Sequence, residues 1–95
     1  MCGAVAGGLP AGVNAGKEAV IQGVVRRDGL PVVGYVRLLD GTGEFTAEVP
    51  TSATGEFRFF AAPGTWTVRA LVPGGSADRT VNAEIGSVSE VDVSV

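Results

Sequence analysis

Ninety-five residues make one domain with a small core. Apolar residues form 45% of the chain, too many for disorder, and 15 Gly with 5 Pro suit short strands and tight turns rather than long helices. A net charge of −3 works against a nucleic-acid partner, and the absence of His removes the commonest general base and the commonest metal ligand together.

Residues 1–17 are rich in Gly and Ala and carry no period. They are expected to form a flexible N-terminal arm ahead of a β-sandwich domain at 18–95. The arm lacks a basic region and Gly and Pro interrupt its apolar residues, so it does not predict a secretory signal. No run approaches the ~20 apolar residues that span a bilayer. A cytoplasmic protein with no membrane partner is expected. Cys2 is the only cysteine, so no internal disulfide forms.

From Glu18 onward, apolar and polar residues alternate. "AVIQGVVR" (19–26) predicts the first strand, and Asp28-Gly29 with Pro31 predicts a turn. "GYVRLL" (34–39) is the second strand, "DGTG" (40–43) a turn, and "EFTAEV" (44–49) the third strand. "SATG" (52–55) turns into "EFRFF" (56–60), and "APG" (62–64) turns into "TWTVRALV" (65–72). "PGGSAD" (73–78) is expected to be the longest internal loop. "RTVNAEI" (79–85) and "VSEVDVSV" (88–95) complete a set of seven strands. That spacing indicates an all-β sandwich or barrel.

Alternation assigns the faces. Ile21, Val25, Val36, Leu38, Phe45, Ala47, Val49, Phe57, Phe59, Trp66, Val68, Ala70, Val91 and Val93 are expected to point inward. Phe45, Phe57, Phe59 and Trp66 would form the aromatic core, with Phe57 and Phe59 from one sheet and Trp66 from the other. The Pro63-Gly64 corner would carry the chain between sheets ~10 Å apart. Trp66→Ala is expected among the costliest single changes, at about 3–5 kcal/mol. Tyr35, Arg37, Arg58 and Arg69 are expected to point outward.

"VIQGVV", "DGLPVVGYVRL" and "TGEFRFFAAPGTWTVRA" together resemble the carboxypeptidase-regulatory-like, transthyretin-like sandwiches. The shared pattern is Ile-x-Gly-x-Val, then Asp/Gly-x-Pro, then Gly-x-Phe-x-Phe, a Pro-Gly corner and an aromatic strand. The resemblance covers residues 20–72 and implies a seven-stranded, Ig-like Greek-key sandwich. The Met-Cys start, "VRLLD", "EFTAEV", "FRFFAAPG" and the "VDV" ending are similar to a small actinobacterial family of unknown function. Genes of that family lie beside genes for thiosulfate sulfurtransferase (rhodanese). This context implies a role near sulfur metabolism and does not imply sulfurtransferase activity, since residues 3–95 offer no cysteine nucleophile.

The transthyretin-like order would place Tyr35, Arg37 and Arg69 on one open face, a candidate for partner binding. It would also place Val20, Val24 and Phe60 on the outside of the other sheet. That patch predicts a cover, either the arm through Leu9 and Val13 or a second protomer in a homodimer.

Catalytic patterns are missing. "DGTGE" is too short for a calcium loop, and "AGGLPAG" and "PGGSAD" lack the Lys-Ser/Thr of a phosphate-binding loop. Ser and Thr have no His to activate them. No enzyme, metal or cofactor is expected. Two functions remain. One is a non-catalytic protein-binding or scaffold module, with a rhodanese-type sulfurtransferase as candidate partner. The other is a sulfur carrier acting through Cys2, which aminopeptidase removal of Met1 would leave beside a free amine. That amine would favour the thiolate form of a thiol of ordinary pKa ~8.5.

Overall fold

The computed structural model describes residues 3–4 and 18–95, and among them it holds ten β-strands and no helix. These are β1 (Gly3–Ala4), β2 (Ala19–Arg27), β3 (Leu30–Pro31), β4 (Tyr35–Leu39) and β5 (Phe45–Pro50). They continue with β6 (Glu56–Ala61), β7 (Gly64–Val72), β8 (Gly75–Ala83), β9 (Val88–Glu90) and β10 (Val93–Ser94). One sheet runs β1-β6-β2-β10, with β3 and β9 also paired to β2, and the other runs β5-β4-β7-β8. Buried residues of both sheets join in one core cluster, with Ile21, Val25, Phe57 and Phe59 from the first and Val36, Leu38, Val68 and Ala70 from the second.

The strands form where β-branched and aromatic residues alternate with polar ones. β7 buries Val68 and Ala70 and leaves Thr67, Arg69 and Leu71 half-buried, while β2 and β6 are buried on both faces over part of their length. Asp28 and Gly29 both adopt positive φ (53° and 81°), giving the tight Asp-Gly turn that pairs β3 back onto β2. Pro63-Gly64 lies where the chain leaves β6 in the first sheet for β7 in the second. The Phe57 and Phe59 rings pack 6.2 Å apart at 55°, a tilted aromatic pair. Trp66 is only half-buried at the rim of the core, and its indole Nε1–H donates to the Ala62 carbonyl across the corner at 2.9 Å.

Four expectations need correction. The seven strands become ten, because β1 and β3 are added and the closing strand is split. β9 and β10 both run parallel to β2, opposite Val20–Gln22 and Val25–Arg26. Between them the chain arches over Gly23, where the Val24 N–H donates to the Asp92 side chain (3.2 Å) instead of to a backbone carbonyl. Residues 73–78 are not a loop. Pro73 and Gly74 alone make the turn, and β8 pairs with β7 from Gly75 onward.

Phe45 is not a core residue; it is 61% exposed. The β4–β5 ladder shifts register between Leu38 and Leu39, so Leu38 faces Ala47 while Leu39 faces Phe45. One extra residue in a strand inverts the side-chain phase beyond it, and the shift turns Phe45 to the outer face. Val20 lies on the outer side of its sheet, where a cover is expected, and it is fully buried. Arg58 also belongs to the outer face of its sheet, yet it is only 6% exposed. It donates to Gln22 Oε1 through Nε (2.8 Å) and Nη2, and Gln22 donates in turn to Glu90 (2.6 Å). This polar chain crosses β6, β2 and β9. The arm at 1–17, including Leu9, Val13 and Lys17, lies outside the described residues except for Gly3–Ala4, which pairs with Phe60 and Phe59.

The β4–β5 turn carries a pH dependence. Asp40 Oδ1 accepts from the Thr42 hydroxyl (2.6 Å), the Thr42 amide (2.9 Å) and the Glu44 amide (3.1 Å). These bonds, the Thr42 hydroxyl first, hold the Asp40 carboxyl below its ordinary value. A carboxyl held low in the fold binds protons less readily folded than unfolded. Its contribution is therefore complete above the ordinary carboxylate pKa of ~4 and lost as pH falls through the lower folded value. Asp40→Asn should lower stability at neutral pH and leave it little changed in acid, where the wild-type carboxyl is already protonated, and so flatten the acid limb of the stability curve. Urea midpoints measured across that range check it, and an unchanged acid limb would contradict it.

Candidate functional site

The outer face of the β5-β4-β7-β8 sheet is built from the alternate positions of four paired strands. Register places Tyr35 opposite both Pro50 and Leu71, and Arg37 opposite both Glu48 and Arg69. Arg69 in turn faces Asp78 on β8. The face thus carries a charged row across all four strands, in the order Glu48, Arg37, Arg69, Asp78. An apolar row containing Pro50, Tyr35 and Leu71 lies beside it.

Both arginines lean away from each other toward the flanking acids. Arg37 Nε donates to Glu48 Oε1 at 2.7 Å. Arg69 donates through Nε and Nη2 to the two oxygens of Asp78, at 2.8 and 3.0 Å. This forked pairing, chiefly its hydrogen bonds, holds the Asp78 carboxyl below its ordinary value and raises the Arg69 guanidinium. Like charges directly opposite on neighbouring strands repel, and the outer carboxylates offset that repulsion. Arg37 Cζ also lies 5.9 Å from the centre of the Phe45 ring, a cation–π contact.

Beyond Tyr35 the face dips into a concavity of about 500 Å³ lined by Val33, Tyr35, Pro50, Leu71, Val72 and Pro73. Tyr35 is 54% exposed at its edge. Arg27 Nη2 donates to the Pro73 carbonyl at 2.9 Å and secures the rim. On the other sheet a polar depression of about 140 Å³ lies among Gln22, Glu56, Arg58 and Glu90. Glu56 there is tied to its own turn, accepting from the Thr54 hydroxyl at 3.0 Å.

Tyr35, Arg37 and Arg69, singled out from the sequence, therefore share one face. Phe57 and Phe59 lie in the core, Trp66 lies at its rim, and Phe45 joins Tyr35 on the surface. Cys2 lies outside the described residues. Sequence reasoning missed Glu48 and Asp78 as partners of the arginines. Their outward phase was legible for Glu48, but pairing Asp78 with Arg69 required knowing that Pro73-Gly74 is a two-residue turn. Among the described residues no three His, Cys, Asp or Glu gather as a metal site, and no helix is long and apolar enough to cross a membrane.

Residues 2–95 match the family described as Protein of unknown function (DUF1416). The chain is 60% identical over 89 residues to an uncharacterized protein of Mycolicibacterium smegmatis, an alignment covering 92% of this chain and 99% of that protein. It is 56% identical over 89 residues to Uncharacterized protein Rv0814c and to Uncharacterized protein Rv3118 of Mycobacterium tuberculosis, covering 92% of this chain and 89% of each.

Proposed function

We propose that this chain, which belongs to the DUF1416 family, is a non-catalytic protein-binding module that docks through the outer face of its four-stranded sheet. The observation that carries this reading is the pair of exposed aromatic side chains, Tyr35 at 54% and Phe45 at 61%, on either side of the Arg37–Arg69 row. Aromatics and Arg dominate the energetics of protein interfaces. The outer face of the other sheet is less available, since Val20 and Arg58 on it are buried. The β6–β7 crossing and the β5-β4-β7-β8 order support a transthyretin-like Greek-key sandwich as the scaffold. The proposed setting is the cytoplasm, and the proposed partner is a rhodanese-type thiosulfate sulfurtransferase. That choice rests on the resemblance of the chain to a family encoded beside such enzymes.

Calorimetric titration of the sulfurtransferase from the same organism tests the proposal. Binding should be lost in Tyr35→Glu and Phe45→Glu, both of which alter exposed side chains and should keep the fold. Equal binding by the wild type and both variants would remove the face from consideration.

A second reading takes the chain as a sulfur carrier. It rests on Cys2, the one thiol of the chain, which removal of Met1 would leave beside a free amine that favours the thiolate. A Cys2 thiolate attacking the outer sulfur of a donor persulfide would become the persulfide and release the donor thiolate. Cys2→Ser separates the two readings: it should abolish sulfur transfer and spare docking.

A further inference from the structure

The apolar concavity and the arginine pair are not independent features. Tyr35 and Arg37 are two residues apart on β4, and Leu71 and Arg69 are two residues apart on β7, so the apolar row and the charged row run side by side. The concavity of about 500 Å³ has room for one or two large side chains. Arg37 engages Glu48 through Nε alone and Arg69 engages Asp78 through Nε and Nη2. A guanidinium carries five N–H donors, so each arginine retains donors beyond those bonds.

We propose that this face takes an extended segment of a partner protein in which an apolar residue and an acidic residue are two positions apart. The apolar side chain enters the concavity beside Tyr35 and Leu71, and the carboxylate lies between Arg37 and Arg69. Successive same-side residues of an extended chain are spaced ~6.5–7 Å apart, which is also the step from Tyr35 to Arg37. Charge complementarity selects the acid, because the row presents two cations at its centre and anions only at its ends. It also selects a singly charged carboxylate over a phosphate dianion. Glu48 and Asp78 already balance the two arginines, and the chain as a whole carries −3.

The inference rests on the docking face proposed above and adds the chemistry of what docks there. The probe is a synthetic peptide with blocked ends, Gly-Ser-Phe-Thr-Glu-Ser-Gly, titrated into the ¹⁵N-labelled full chain by NMR. The backbone amides of Tyr35, Arg37, Arg69 and Leu71 and the Nε–H signals of the two arginines should shift together and saturate. A peptide with Gln in place of Glu, or Ala in place of Phe, should bind about tenfold more weakly. R37Q combined with R69Q should remove the preference for Glu over Gln. The two control peptides probe the wild-type protein, so the test survives even if that double variant unfolds.

Equal affinity for the Glu and Gln peptides would overturn the inference, as would shifts centred elsewhere on the molecule. If the sulfurtransferase perturbs this face while the peptides do not discriminate, the acidic-segment inference fails and the docking face stands. If neither perturbs it, both fail. Val88-Ser89-Glu90 is itself an apolar-x-acid strand, with Val88 42% exposed. A dimer in sedimentation that R37Q with R69Q dissolves would therefore give the face to a second copy and overturn the assignment to another protein.

Discussion

Gly23→Ala is expected to cost about 3–5 kcal/mol, at the upper end for a single substitution. A Cβ at this position would stand 1.7 Å from the Val91 carbonyl oxygen and 3.0 Å from Cζ of Phe57. Neither neighbour is free to retreat. Val91 is buried and its N–H donates to the Gln22 carbonyl at 2.8 Å, while Phe57 is a core ring. The closing segment would have to lift off β2, taking Val91 and Val93 out of the core and releasing the Val24–Asp92 bond. Chemical denaturation should show the loss, and hydrogen exchange should place it at Val24, Val91 and Val95. A change below about 1 kcal/mol would mean that the segment does not cross Gly23 as described.

Phe59→Ala is expected to cost about 3–5 kcal/mol, and Trp66→Ala less than about 2. Phe59 has no exposed surface and packs against Phe57, so its removal leaves a cavity walled by both sheets. Trp66 is half-buried, and water can fill the space it leaves at the corner. The order of the two effects reverses the emphasis that residue size alone suggested. Parallel urea titrations check it, and a larger loss for Trp66 would show that the corner rather than the inter-sheet core limits stability.

Local alternation made much of the fold legible. "EFRFF" announces which faces of β6 are apolar, and Asp28-Gly29 announces its turn, because both signals lie within a few residues. What failed depended on pairing between distant segments. Phe45 reads as an inward residue until the register shift against Leu38 and Leu39 is known. Gly23 reads as a gap in an apolar run, and its role emerges only when residue 91 arrives from the far end of the chain. Arg58 reads as a surface charge, yet it is buried and bonded to Gln22, in a polar chain that surfaces at Glu90. The candidate face was half legible. Tyr35 and Arg37 share it by simple alternation, while Arg69 joins them only through the β4–β7 pairing. Glu48 and Asp78, which temper both arginines, required two further ladders.

The outer face of the four-stranded sheet is the central claim, and an NMR perturbation map tests it most directly. The ¹⁵N-labelled chain would be titrated with the unlabelled sulfurtransferase and every assigned amide followed. The account predicts that the perturbed amides cluster on β4 and β7, at Tyr35, Arg37, Arg69 and Leu71, with Phe45 at the margin. Perturbations confined to the first sheet, or to Gly3 and Ala4 at its edge, would contradict it.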